Sequence, residues 1–127
     1  MARRSSVFRL EADQESDEAV MYLYGYVVED RPWWDEGNGS DFITDKEVRE
    51  ALAETKAARL RVHINSFGGS AFTGVAISNL LKNHGAYVTA HIDGIAASAA
   101  SVIAMGADRI VMPSNAMMML HCASTFV

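Results

Sequence analysis

At 127 residues the chain is one domain, or most of one, and with 50% of its residues hydrophobic it can bury roughly two-thirds of its unfolded surface. A net charge of −5, from 11 basic and 16 acidic residues, argues against a nucleic-acid binder, which would show a basic face. The single Cys122 excludes an internal disulfide and suits a reducing compartment; no apolar run approaches the ~18 residues of a membrane span, and MARRSSVFRL lacks the apolar core of a signal peptide, so a cytoplasmic location is expected.

Residues 1–18, with five acids and no base in EADQESDE at 11–18, are expected to form a mobile acidic segment ahead of a domain over 19–127. AVMYLYGYVV at 19–28 is apolar, aromatic and β-branched, the pattern of a buried strand. EDRPWWDEGNGSD at 29–41 reads as a loop, its Trp33–Trp34 pair either a binding patch or, as is commoner for such pairs, the cover of a core edge or a subunit contact. Thr44 and Glu47 form a capping box that opens a helix, with Val48, Ala51, Leu52 and Thr55 on one face. RLRVHIN at 59–65 alternates as a strand. SFGGSAFTGVAISNLLKNHG at 66–85 begins with paired glycines and continues as a helix, with Phe72, Val75, Ala76 and Leu80 on one face and Gly85 as its stop. YVTAHI at 87–92 is a further strand, Gly94 turns the chain, and a helix spans about 97–105. Strands at 108–113 and 115–121 close the pattern. Strands alternating with helices predict an α/β fold with a largely parallel sheet, whose ligands bind at the carboxyl ends of the strands. The turns 66–70 and 93–98 both lie at such ends.

The second of these turns carries Ser98. A serine at a helix start after a glycine turn meets backbone N–H groups that favour negative charge. That is the setting of a serine nucleophile, whose neighbouring N–H binds the oxyanion formed on attack. Close packing of small residues explains Gly94, Ala96, Ala97, Ala99 and Ala100 equally well. SFGGS offers further anion-binding N–H groups, but it has neither the spacing of a dinucleotide loop nor the lysine of a phosphate loop. The base candidates are His63, His84, His91 and His121. His63 is explained as a strand residue with a polar partner and His84 by a helix dipole. His121 ends an apolar strand without evident structural need. Ser101 is expected to pack and bond a preceding carbonyl. Cys122, beside His121, points to the opposite face, and Met117–Met119 read as pliable packing. No metal or cofactor is expected.

Three motifs in order carry a resemblance. INSFGG at 64–69, GIAAS at 94–98 and MLH at 119–121 resemble the I-N-S-P-G-G, G-x-A-A-S and M-I-H of the Clp protease proteolytic-subunit (ClpP) family. The stretch particularly resembles the family's phage relatives, the head maturation (prohead) proteases. Phe67 replaces the usual proline. The resemblance implies a Clp-protease/crotonase-like spiral of ββα units with nucleophile Ser98, general base His121 and oxyanion donors Gly69 and Ala99. It places Gly68 and Ser70 on the substrate side, where an extended peptide pairs with the strand after the glycines. It further implies a ring-forming homo-oligomer acting on peptide or protein substrates, such as phage capsid or scaffold proteins within proheads, and leaves an ATP-dependent unfoldase partner undetermined. The family's aspartate comes well after the histidine; CASTFV, which follows His121, holds no acid. The expectation is therefore a domain incomplete at its C-terminus and a poor catalyst by itself. A crotonase-like acyl-CoA enzyme and a catalytically silent structural subunit share the fold. A Ser/Lys arrangement is disfavoured because Lys82 lies late in its helix.

Overall fold

The computed structural model describes residues 8–13, 17–35 and 42–120. The strands are β1 (Phe8–Asp13), β2 (Glu18–Val27), β3 (Phe42–Ile43), β4 (Arg59–Gly69), β5 (Tyr87–Ala97), β6 (Arg109–Val111) and β7 (Met117–Met119). The helices are α1 (Asp45–Ala53), α2 (Ala71–Asn83) and α3 (Ala99–Ala104). Among the described residues all strands belong to one sheet, ordered β1-β2-β4-β5-β6, with β3 beside β2 and β7 beside β5. Every pairing is parallel except β1 with β2, which bears out the α/β expectation. The connections from β2 to β4, β4 to β5 and β5 to β6 advance in the same direction across the sheet. Right-handed crossovers therefore place the helices on one face of the sheet.

That face is the core. Met21 and Leu23 from β2, Leu60, Val62 and Ile64 from β4, and Val88, Ala90 and Ile92 from β5 pack with Val48, Ile77, Leu81 and Ile103 of the helices. The alternate strand residues, including Tyr22, His63 and His91, form the other face, as period-two alternation requires.

Several expectations shift. Residues 8–13, expected within a mobile acidic segment, form an edge strand paired from Phe8↔Leu23 to Asp13↔Glu18. Their sequence, FRLEAD, alternates apolar and charged residues at strand period, which the acid count obscured. β4 and β5 run on through the motif residues to Gly69 and Ala97, so both turns begin later than the sequence pattern suggests. The core face of α2 is Thr73, Gly74, Ile77, Ser78 and Leu81. Phe72 and Val75, grouped as an apolar face, are 84% and 48% exposed. Small residues are needed inside because α3 and its exit turn come very close. A Cβ on Gly74 would lie 2.9 Å from Ala99 O, and one on Gly106 would lie 2.6 Å from Ser78 O.

Thr44 caps α1 as expected, its Oγ1 accepting from the Glu47 N–H at 3.2 Å. The Glu47 carboxylate accepts from the Thr44 hydroxyl at 3.2 Å and takes a bidentate bond from Arg31 (2.5 and 2.7 Å), and Arg31 also bonds Asp35 at 2.7 Å. These bonds, that to Glu47 foremost, raise the Arg31 pKa and tie the loop after β2 to α1. Trp33 is 94% exposed, while Trp34 meets Phe42 edge-on at 5.6 Å.

Candidate active site

Ser98 joins β5 to α3 with φ 55° and ψ −121°. A non-glycine residue at positive φ costs on the order of 1–3 kcal/mol and persists where the surroundings over-determine it. They do here. The Ser98 N–H donates to Met119 O at 3.0 Å, and its carbonyl accepts from the N–H groups of Ser101 (3.0 Å) and Val102 (3.3 Å). Ser101 Oγ adds a third bond to that carbonyl at 2.5 Å, the structural role expected of Ser101, which is buried. The hydroxyls of Thr44 and Ser70 cap their helices, but the Ser98 hydroxyl makes no capping bond to α3. The backbone is thus strained and pinned, and the hydroxyl is left out of the helix cap.

The two glycine-bearing turns meet at this residue. Gly68 (φ 99°) lies so close that a Cβ there would stand 2.5 Å from Ala97 O, 2.9 Å from Ser98 Cβ and 3.0 Å from Ala99 N. Gly69 (φ 143°) packs on the other side, where a Cβ would be 2.1 Å from Val27 O. Both N–H groups flanking the Gly69 N–H are engaged: Gly68 donates to Ser66 Oγ at 3.0 Å and Ser70 to Val27 O at 2.8 Å. At α3, the Ala99 N–H belongs to a first turn whose amides have no acceptor within the helix. Ser70 is fully engaged, for its Oγ accepts from the Thr73 N–H and its carbonyl from the Gly74 N–H. It anchors the start of α2 beside the site.

Three of the four histidines serve the scaffold. His63 stacks between Tyr22 and His91, with centroids 5.0 Å apart on each side, and its Nδ1–H donates to Asp93 at 2.9 Å. Burial, then the neighbouring His63 and Arg61, lowers the His91 pKa. His84 Nε2–H donates to Leu52 O (3.0 Å) and Thr55 O (3.2 Å), joining the ends of α1 and α2. His121 and Cys122 lie outside the described residues. β7, which leads to His121 in sequence, sets Met119 opposite Ala97, directly beside Ser98. Neither candidate carboxylate is idle: Asp93 accepts from Tyr24 and His63, and Asp108 accepts from the Val88 N–H at 2.7 Å.

Sequence reasoning passed over Asn65 and Ser66. Ser66 Oγ donates to Gly25 O, and Asn65 Oδ1 accepts from the Ile95 N–H at 3.1 Å. Both side chains bond to the backbone of a neighbouring strand, a partner that the sequence does not mark. Among the described residues, no cluster of three or more metal-ligating side chains occurs, and no helix is long and apolar enough to cross a membrane. A groove between α1 and α2, lined by Leu52, Ala53, Ala76 and Leu80, lies towards the end of α2 remote from Gly74 and Ser98. Of the candidate residues it carries only His84, which is bonded to the end of α1.

A family model described as Clp protease matches residues 43–127, a span that includes both turns and β7. The chain belongs to the Clp protease family. A search of curated proteins found no match. Among solved structures, the chain is similar to a crystal structure described as an enoyl-CoA hydratase from Streptomyces coelicolor A3(2). The identity is 18% and the TM-score 0.59, over 91% of this chain and 48% of that one. It is similar also to an enoyl-CoA hydratase from Thermoplasma volcanium GSS1, with 14% identity and TM-score 0.59 over 91% of this chain and 52% of that one. These likenesses show the fold, the spiral that Clp proteases share with crotonases, and the chain spans about half the length of both structures.

Proposed function

We propose that this Clp protease family chain is a serine endopeptidase with Ser98 as nucleophile and His121 as general base. The observation that carries the reading is the pinned, positive-φ Ser98 packed against Gly68, with its hydroxyl left out of the helix cap. In this reading Ser98 Oγ forms a bond to the scissile carbonyl carbon while its proton passes to the His121 imidazole. The carbonyl electron pair becomes an oxyanion held by the Gly69 and Ala99 N–H groups. Collapse breaks the C–N bond, the amine leaves with the proton from His121, and water reverses the sequence on the acyl-enzyme. Gly68 and Ser70 flank the Gly69 donor and keep it in place against an extended peptide. The carboxylate that orients His121 comes from outside the described residues, since Asp93 and Asp108 already have partners.

Ring-like self-association is part of the proposal. Exposed Phe72, Val75, Met117 and Met119 leave apolar surface for a second copy. The finer reading is a head maturation protease of a phage or prophage, acting on capsid or scaffold proteins in the bacterial cytoplasm. It is supported by the likeness of INSFGG, GIAAS and MLH to those relatives. The fold likeness to enoyl-CoA hydratases supports a second reading, an acyl-CoA enzyme that uses the same oxyanion donors without Ser98. Assaying peptide hydrolysis and CoA-thioester binding side by side separates the two. Hydrolysis that Ser98→Ala abolishes is expected, whereas thioester binding with no hydrolysis would favour the second.

A further inference from the structure

We infer that Asn65 and Ser66 are positioning residues that set the Gly69 and Ser98 turns against each other. The inference rests on the peptidase reading for its purpose and on geometry for its content. β4 is the strand between both partners of the site, and its ladder is broken on both sides at the same place. Against β2, Tyr24 faces Asn65 but Tyr26 faces Gly68, so three steps of β4 span two of β2. Against β5, Ile64 faces Ile92 but Ser66 faces Ala96, so two steps of β4 span four of β5. Such interruptions leave backbone groups without ladder partners, and buried or half-buried ones must find substitutes.

Adjacent strand residues point to opposite faces, and this pair uses that fact. Ser66, 3% exposed, donates to Gly25 O in the β2 irregularity and accepts from the Gly68 N–H at 3.0 Å. It thereby holds the Gly68 amide inward, next to the outgoing Gly69. Asn65 Oδ1 accepts from the Ile95 N–H at 3.1 Å, within the extra loop of β5. It also occupies the space beside Gly94, where a Cβ would lie 2.6 Å from that oxygen. One side chain fixes the strand leading to the oxyanion turn and the other the strand leading to the nucleophile. Because effective attack demands near-contact alignment, a shift of about 1 Å between the turns costs up to about 10²-fold in rate.

The test combines two readouts on the full chain: backbone amide hydrogen exchange, and the rate at which a fluorophosphonate labels Ser98. Ser66→Ala is expected to expose the Gly68 amide to faster exchange, and Asn65→Ala the Ile95 amide. Each should slow labelling by at least about tenfold under conditions where the protein stays folded. Ser66→Thr, which keeps the hydroxyl, should restore Gly68 protection and most of the labelling rate. Gly85→Ala, past the end of α2 opposite Ser70 and with nothing within 4 Å of an added Cβ, should change neither readout at the site. If Ser66→Ala fails to fold, the surface variant Asn65→Ala still decides the matter. Native labelling rates in the alanine variants, or unchanged exchange at Gly68 and Ile95, would overturn the inference while leaving Ser98 as nucleophile. A native protein that takes no label at Ser98 contradicts the peptidase reading and removes the positioning role with it.

Discussion

Gly68 is the residue on which the two turns close, and it has no tolerance for a side chain. Its φ of 99° disfavours any L-residue, and a Cβ would stand 2.5 Å from Ala97 O. Gly68→Ala should therefore destabilise the protein by more than about 1 kcal/mol and displace Ser98 enough to suppress its labelling. Gly85 is the control. It has a similar φ of 100° with nothing within 4 Å of an added Cβ, so Gly85→Ala should cost only the backbone penalty of roughly 1–2 kcal/mol and leave labelling intact. Urea unfolding and labelling of both variants make the comparison; equal effects on labelling would count against the close approach. Gly69 and Ser98 were legible in the sequence as turn residues at strand ends, because glycine and small-residue runs mark such places. Asn65 and Ser66 were not, since a side chain bonded to the backbone of a neighbouring strand leaves no periodic trace. Which strands are neighbours, and where their ladders break, appears only in the fold.

At the level of elements, α2 shows how hydrophobic periodicity can point the wrong way. Phe72 and Val75 stand out in the sequence, but they face outward. The face towards α3 carries Thr73, Gly74 and Ser78, because Ala99 and Gly106 approach too closely for larger groups. Ile77 is the large residue of that face and is fully buried. Ile77→Ala should cost about 2–5 kcal/mol, while Phe72→Ala in the isolated subunit should stay within about 0.5 kcal/mol. Chemical denaturation of the two variants checks this, and the reverse order would contradict the packing. The strands and α1 were far more legible. Alternation in β4 and the Thr44 cap are local signals that tertiary packing did not override, whereas the pairing of β1 was hidden behind its acidic composition.

For the molecule as a whole, the helix-covered face holds the sheet together, and the opposite face carries a ladder of Tyr22, His63 and His91 across β2, β4 and β5. Burial, then His63 and Arg61, lowers the His91 pKa, against a smaller raising effect of Asp93. An unfolded histidine titrates near about 6.5, so below that pH the unfolded chain binds a proton that the folded His91 resists. Stability should thus be fully present above about pH 6.5 and decline as pH falls below it. His91→Gln should flatten that decline. Urea midpoints at several pH values measure it, and an unchanged slope in the variant would contradict the assignment. The α/β order and largely parallel sheet were readable from the alternation of elements, and the glycines of INSFGG, the end of GIAAS and Met119 lie together in space around Ser98. The claim that this convergence exists for chemistry meets its most direct test in one measurement: reaction of the native protein with a fluorophosphonate, followed by mass-spectrometric mapping of the adduct. Covalent label on Ser98, absent from Ser98→Ala and retained in Ser101→Ala, is the expected result. A native protein that remains unlabelled, or that carries its label on Ser101, would contradict the account.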